Sequence, residues 1–135
     1  MGELSHFNDE GRARMVDVSD KATTLRTATA GGTVFLNADT FVLVTTGKMK
    51  KGDVLSVAQV AGIMAAKRNA ELIPMCHPIA ITGVDISFHL DVETRSVEIL
   101  ATVRCKGETG VEMEALTAVS VAATSLTCSR IDMFL

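Results

Sequence analysis

The strongest pattern in the chain is a strict alternation of apolar and polar residues between Val84 and Cys105. Val84, Ile86, Phe88, Leu90 and Val92 alternate with Asp85, Ser87, His89 and Asp91. After a turn near Thr94 the alternation resumes with Val97, Ile99, Ala101, Val103 and Cys105. A period of two with its apolar side unbroken predicts an antiparallel hairpin that buries one face. β-favouring residues also fill Thr23 to Leu36. The Gly31-Gly32 pair in their midst predicts a hairpin turn, because glycine takes positive φ without steric cost. Met15-Val16-Asp17-Val18 is a short apolar patch read as a further strand, and residues 1–14 are polar and expected to be mobile.

Two helices follow from a different period. Val54, Val57, Ala58, Ala61, Met64 and Ala65 recur at helical spacing up to Lys67-Arg68, and Asp53 stands where an N-cap belongs. A second helix is predicted from near Thr109, carrying Val111, Ala115, Ala118, Val119, Ala122 and Leu126. Residues 37–46 are ambiguous: Asn37 could cap a short helix, but Thr40, Val42, Val44 and Thr45 favour strand. Strands and helices in this order predict one α+β domain over residues 1–135, with helices covering one face of an antiparallel sheet.

Composition narrows the function. Apolar residues make up 47% of the 135, but Trp and Tyr are absent and aromatics total 4%, so a stacking platform for single-stranded nucleic acid is excluded. A net charge of −3 also lacks the basic excess of a general nucleic-acid binder. The polar, acidic start of the chain does not read as a signal peptide, and no apolar run approaches membrane-spanning length. Cys76, Cys105 and Cys128 are odd in number and widely spaced, which predicts thiols in a reducing compartment and a cytoplasmic protein.

Three groups of residues could carry chemistry. The only prolines, Pro74 and Pro78, frame Met75-Cys76-His77 and push Ile73 and His77 toward extended backbone, so a cysteine and a histidine sit in a stiff segment. A metal site there would need more ligands than His6 and His89 can offer, and neither metal nor cofactor is expected. In Thr109-Gly110-Val111-Glu112-Met113-Glu114, Thr109 and Glu112 have the spacing of a capping box. Glu114 has no such structural duty. The two carboxylates diverge by about 200° around a helix axis, so one subunit cannot aim both into one pocket. The third group is Lys48-Met49-Lys50-Lys51-Gly52-Asp53, with Lys67-Arg68 at the far end of the helix that it opens. Lysine and glycine at a helix N-terminus can hold an anion, although a solvated basic stretch would look the same. Together these groups suit acid–base chemistry on a small phosphorylated molecule.

Read jointly, Met15-Val16-Asp17-Val18, Lys51-Gly52-Asp53 to Ala65-Ala66-Lys67-Arg68, Leu72-Ile73-Pro74-Met75-Cys76-His77-Pro78 and Thr109-Gly110-Val111-Glu112-Met113-Glu114-Ala115-Leu116-Thr117 resemble the MoaC family of molybdenum cofactor biosynthesis. The match runs in order from about Leu4 to Ala123. The resemblance implies a ferredoxin-like α+β subunit, assembled as dimers into a hexamer, with the active site at the dimer interface. It implies a lyase that converts a cyclised GTP derivative into cyclic pyranopterin monophosphate and releases pyrophosphate. It assigns catalysis to Lys51, His77 and Glu112, and substrate contact to Met75, Cys76, His77, Met113, Glu114 and Lys67, with no metal and no cofactor. The last helix departs from the family's Leu-Thr-x-Tyr-Asp-Met-x-Lys pattern. Aligned without a gap, the catalytic Asp falls on Cys128 and the Lys on Ile131; with an insertion, the Asp is Asp132 and Leu135 stands for the Lys. The family's final strand and tail are expected to be absent. The reading alternative to an active synthase is a subunit that assembles and binds the substrate without turning it over.

Overall fold

The computed structural model describes residues 12–13, 15–16, 23–47 and 53–128. Its elements follow in the order β1 (Thr24–Phe35), α1 (Ala38–Thr46), α2 (Val54–Lys67), α3 (Asn69–Leu72), β2 (Ile81–Asp91), β3 (Ser96–Gly107) and α4 (Glu112–Cys128). The strands form one antiparallel sheet in the order β1-β3-β2. Helices α2 and α4 cover one face of it, α4 lying over β1 and β3 and α2 over β2. This is the α+β architecture that the alternating and helical periods predict. Among the described residues no helix is long and apolar enough to cross a membrane.

Strand β3 is central, and its inward row is the heart of the core: Val97, Ile99, Ala101, Val103 and Cys105 are each 0% exposed. Opposite them β2 offers Leu90, Phe88, Ile86 and Val84, and β1 offers Val34, Gly32, Ala30 and Ala28. Each large apolar side chain removed from water in this row contributes about 1.5–3 kcal/mol. The outward row is mixed: exposed Leu25, Phe35 and Leu100 stand beside polar pairs, the Thr29 and Thr102 hydroxyls 2.8 Å apart and Arg104 paired to Asp85 at 2.6 Å.

Four local expectations are corrected or resolved. Gly31-Gly32 is no turn: β1 runs unbroken, with Gly31 opposite Leu100 and Gly32 opposite Ile99. Glycine inside a strand marks a close approach instead. A Cβ on Gly32 would stand 2.8 Å from Val119 Cγ1, so its bareness lets α4 settle on the sheet. Val92 does not continue the inward row but sits in the β2–β3 turn, 76% exposed. There Asp91 Oδ1 accepts from the amides of Glu93 and Thr94 at 3.0 and 3.3 Å. Met15 and Val16 are not in a strand, while Asp17 and Val18 lie outside the described residues. The ambiguous segment is helix α1, because Asn37 Oδ1 accepts from the Thr40 amide at 2.8 Å and Gly47, at φ 70°, closes the other end. Of the expected mobile arm, all but Arg12 and Ala13 lies outside the described residues.

Helix α2 is capped as its sequence predicts, Asp53 accepting from the Ser56 amide at 3.2 Å and from its hydroxyl at 2.6 Å. It meets α4 through small residues: Ala58, Gly62, Ala65 and Ala66 on one side, Ala115, Ala118 and Ala122 on the other are buried. A Cβ on Gly62 would stand 3.0 Å from the Ala118 carbonyl and collide with Ile86. Gly62→Ala is therefore expected to lower stability by about 1–3 kcal/mol. A Cβ on Gly31 meets the exposed end of Leu100 and stands at ordinary contact distance, 3.7 Å, from the Ile99 carbonyl, so Gly31→Ala should stay within about 0.5 kcal/mol of wild type. Urea midpoints of the two variants check the contrast.

Candidate active site

The sharp change of direction after α2 builds the site. Arg68 closes α2 by donating its amide to the carbonyls of Met64 and Ala65, both at 3.1 Å, and the four-residue α3 begins at Asn69. The Ile73 amide then bonds the Asn69 carbonyl at 2.8 Å, and the Cys76 amide bonds the Ile73 carbonyl at 3.1 Å. With Pro74 and Pro78 limiting the backbone on either side, the Met75-Cys76-His77 segment is a short, tied-down connection into β2.

Glu114, in the first turn of α4, is 3% exposed, and Glu112 two residues earlier is exposed. The divergence argued from helical geometry is thus realised. The capping box is not: α4 starts at Glu112, and the Thr109 hydroxyl bonds the Gly110 carbonyl at 3.3 Å. Asn69, 1% exposed, donates Nδ2 to Glu114 Oε2 at 3.0 Å. Its Oδ1 accepts from the Thr117 hydroxyl at 2.6 Å. Burial pushes the Glu114 carboxyl above its ordinary range. Its own amide and the Asn69 amide pull the other way, and neighbouring Glu112 adds to the rise. Burial likewise raises the Cys105 thiol, with Glu114 as the next contribution.

Glu114 forms part of the wall of a cleft of about 130 Å³ that is also lined by Lys67, Arg68, Asn69, Glu71 and Pro78. Two cations and a buried, hydrogen-bonded carboxyl on one wall can bind an anionic group and exchange a proton beside it. Beyond Pro78 and Ile79, which both clefts share, lies a second cleft of about 340 Å³ with His77, Lys106, Thr109 and Thr23. The structure therefore places Lys67 and Glu114 together and His77 next door. Met75 and Cys76 are half-buried and line neither cleft, while Met113 (43% exposed) and Glu112, whose carboxylate turns back over Gly110, are exposed on α4. Lys51 lies outside the described residues, as do Ile131 and Asp132; Cys128 is exposed at the end of α4.

Sequence reasoning missed Asn69 and gave Thr117 no role. The signal was present in the spacing. Ala58, Gly62 and Ala65 mark the buried stripe of α2, and Asn69, four residues on and just past the end of that helix in α3, prolongs the spacing with a polar residue. Thr117 stands three residues after Glu114 and so shares its face of α4.

A carboxyl whose folded value lies above its unfolded value near 4.3 favours folding fully below that unfolded value. That contribution is lost as pH rises through the folded value. Glu114→Gln removes the loss while keeping the shape and an acceptor for Asn69. The variant should melt higher than wild type at pH 7, and the advantage should vanish on acidification to about pH 4. Thermal melts across that range check it.

The profile of the MoaC family matches residues 15–133. Proteins named cyclic pyranopterin monophosphate synthase are similar over nearly the whole chain. That of Thermoanaerobacter pseudethanolicus is 59% identical over 131 residues, covering 96% of this chain and 83% of the relative. That of Desulfitobacterium hafniense is 58% identical over 132 residues, covering 96% and 80%. That of Chloroflexus aurantiacus is 54% identical over 132, covering 96% and 81%. With the motifs in order, and the α+β fold that carries them in place, the chain belongs to the MoaC family.

Proposed function

We propose that the chain is the subunit of a cyclic pyranopterin monophosphate synthase of molybdenum cofactor biosynthesis. The reaction is the conversion of 3′,8-cyclo-7,8-dihydroguanosine 5′-triphosphate to cyclic pyranopterin monophosphate with release of pyrophosphate. The observation that carries the reading is the cleft that buried Glu114 lines together with Lys67 and Arg68. It joins what such a reaction requires. Expelling pyrophosphate needs cations to hold the charge that grows on the leaving group. Rebuilding the ring system needs groups that give and take protons. Lys67 and Lys51 answer the first need. His77, in the cleft across Pro78, and Glu114 answer the second, with Glu112 as a further catalytic carboxylate and Met75, Cys76 and Met113 as substrate contacts.

Among the described residues these groups are not gathered into one pocket, since Glu112 and Met113 are exposed and line neither cleft. We place the complete, ferredoxin-like unit in a homo-oligomer of dimers forming a hexamer, where a neighbour can meet the outward face of α4. Exposed Val57, Val60 and Met64, aligned on one side of α2, supply apolar surface for such assembly. The three cysteines are free thiols, which supports a reducing, cytoplasmic setting.

The test is pyrophosphate release and pterin formation by this chain from the cyclised GTP substrate, with its mass determined by sedimentation. We expect turnover by a species that is a multiple of the 14.3 kDa chain. Lys67→Ala and His77→Ala should each lower kcat/KM by about 100-fold or more. Substrate that binds and protects against heat without product would favour the non-catalytic subunit instead.

A further inference from the structure

Asn69 lies on the cleft wall, but both ends of its amide are taken by α4. The Thr117 hydroxyl, 2.6 Å from Oδ1, fixes which way the amide faces, and that leaves Nδ2 toward Glu114 Oε2 at 3.0 Å. All three side chains are at least nine-tenths buried. Apolar residues would fill the same space without the desolvation cost of an amide, a hydroxyl and a carboxyl. A satisfied polar triad at the edge of a cleft instead holds one group in a single geometry.

We infer that Asn69, oriented by Thr117, is a positioning residue that holds the Glu114 carboxyl against the cleft wall and sets the direction in which it exchanges a proton with the substrate. The inference rests on the cleft being the substrate site. A carboxylate has about four acceptor positions, and Asn69 takes one, leaving others for a ligand in the cleft. Among the described residues, the charged and titratable groups around Glu114 are Lys67 and Arg68 at the end of α2, Glu71 on α3, Glu112 on α4 and Cys105 on β3. Asn69 is the neutral donor among them. Its loss removes a bond that favours the ionised carboxyl, so Glu114 should then hold its proton to higher pH, by about one pH unit.

The full chain carrying Asn69→Leu, Thr117→Val or Thr117→Ser is compared by two readouts. One is the pH dependence of kcat/KM. The other is a ¹³C NMR titration of the glutamate carboxyls, with Glu114 assigned from Glu114→Gln. Asn69→Leu should move the Glu114 titration and one limb of the pH profile upward together by about one unit. Thr117→Val should move them the same way by less, and Thr117→Ser should keep the wild-type titration. An unmoved Glu114 titration in Asn69→Leu overturns the inference, and so does a moved titration with an unmoved pH profile. If Asn69→Leu does not fold, identical titrations in the two Thr117 variants overturn it. If wild type turns over no substrate, the proposed activity falls and the carboxyl titration alone decides the role of Asn69.

Discussion

Helices α2 and α4 can touch only because their facing positions carry almost no side chain. A methyl on Gly62 would stand 3.0 Å from the Ala118 carbonyl and would collide with the end of the Ile86 side chain. Ala58, Ala65, Ala115 and Ala122 extend the same contact in both directions. Just past the end of α2, Asn69 opens α3, and the first turns of α4 that it meets hold Glu114 and Thr117. The polar triad is therefore the last layer of the same packing, at the point where the helices open onto a cleft.

That placement explains the chemistry available there. A carboxyl at the mouth of a tight helix pair is shielded enough to keep its proton to higher pH, yet it borders a space lined by Lys67 and Arg68. The turn of the chain at Arg68, the short α3 and the proline-framed connection bring His77 to the far side of Pro78. Cations from the end of α2, His77 from the connection that follows it and Glu114 from α4 thus border adjoining clefts. Glu112 and Met113, two residues and one residue before Glu114, are exposed and line neither cleft.

Much of this was legible in the sequence because the relevant patterns are local. The β2–β3 hairpin announces itself by period, α2 by its cap and stripe, and the proline frame by its two fixed rings. Gly31-Gly32 misled because glycine serves both a turn and a close approach, and only the position of α4 over β1 decides between them. The capping box at Thr109 misled because spacing says nothing of where the helix begins. Segment 37–46 was undecided because strand propensity and an asparagine cap pulled apart, and the cap prevailed. The motif around Glu114 was visible, but its partner Asn69 was not, since 45 residues of sequence separate them and the helix contact alone joins them.

The claim on which the rest stands is that Asn69 and Glu114 are energetically joined across the helix pair. A double-mutant cycle on stability at pH 7, with Asn69→Leu, Glu114→Met and the double variant, measures it directly, because each single change removes one partner of the bond. The account predicts a coupling of at least about 1 kcal/mol, as for a buried hydrogen bond to a charged group. A coupling within about 0.3 kcal/mol of zero would contradict it.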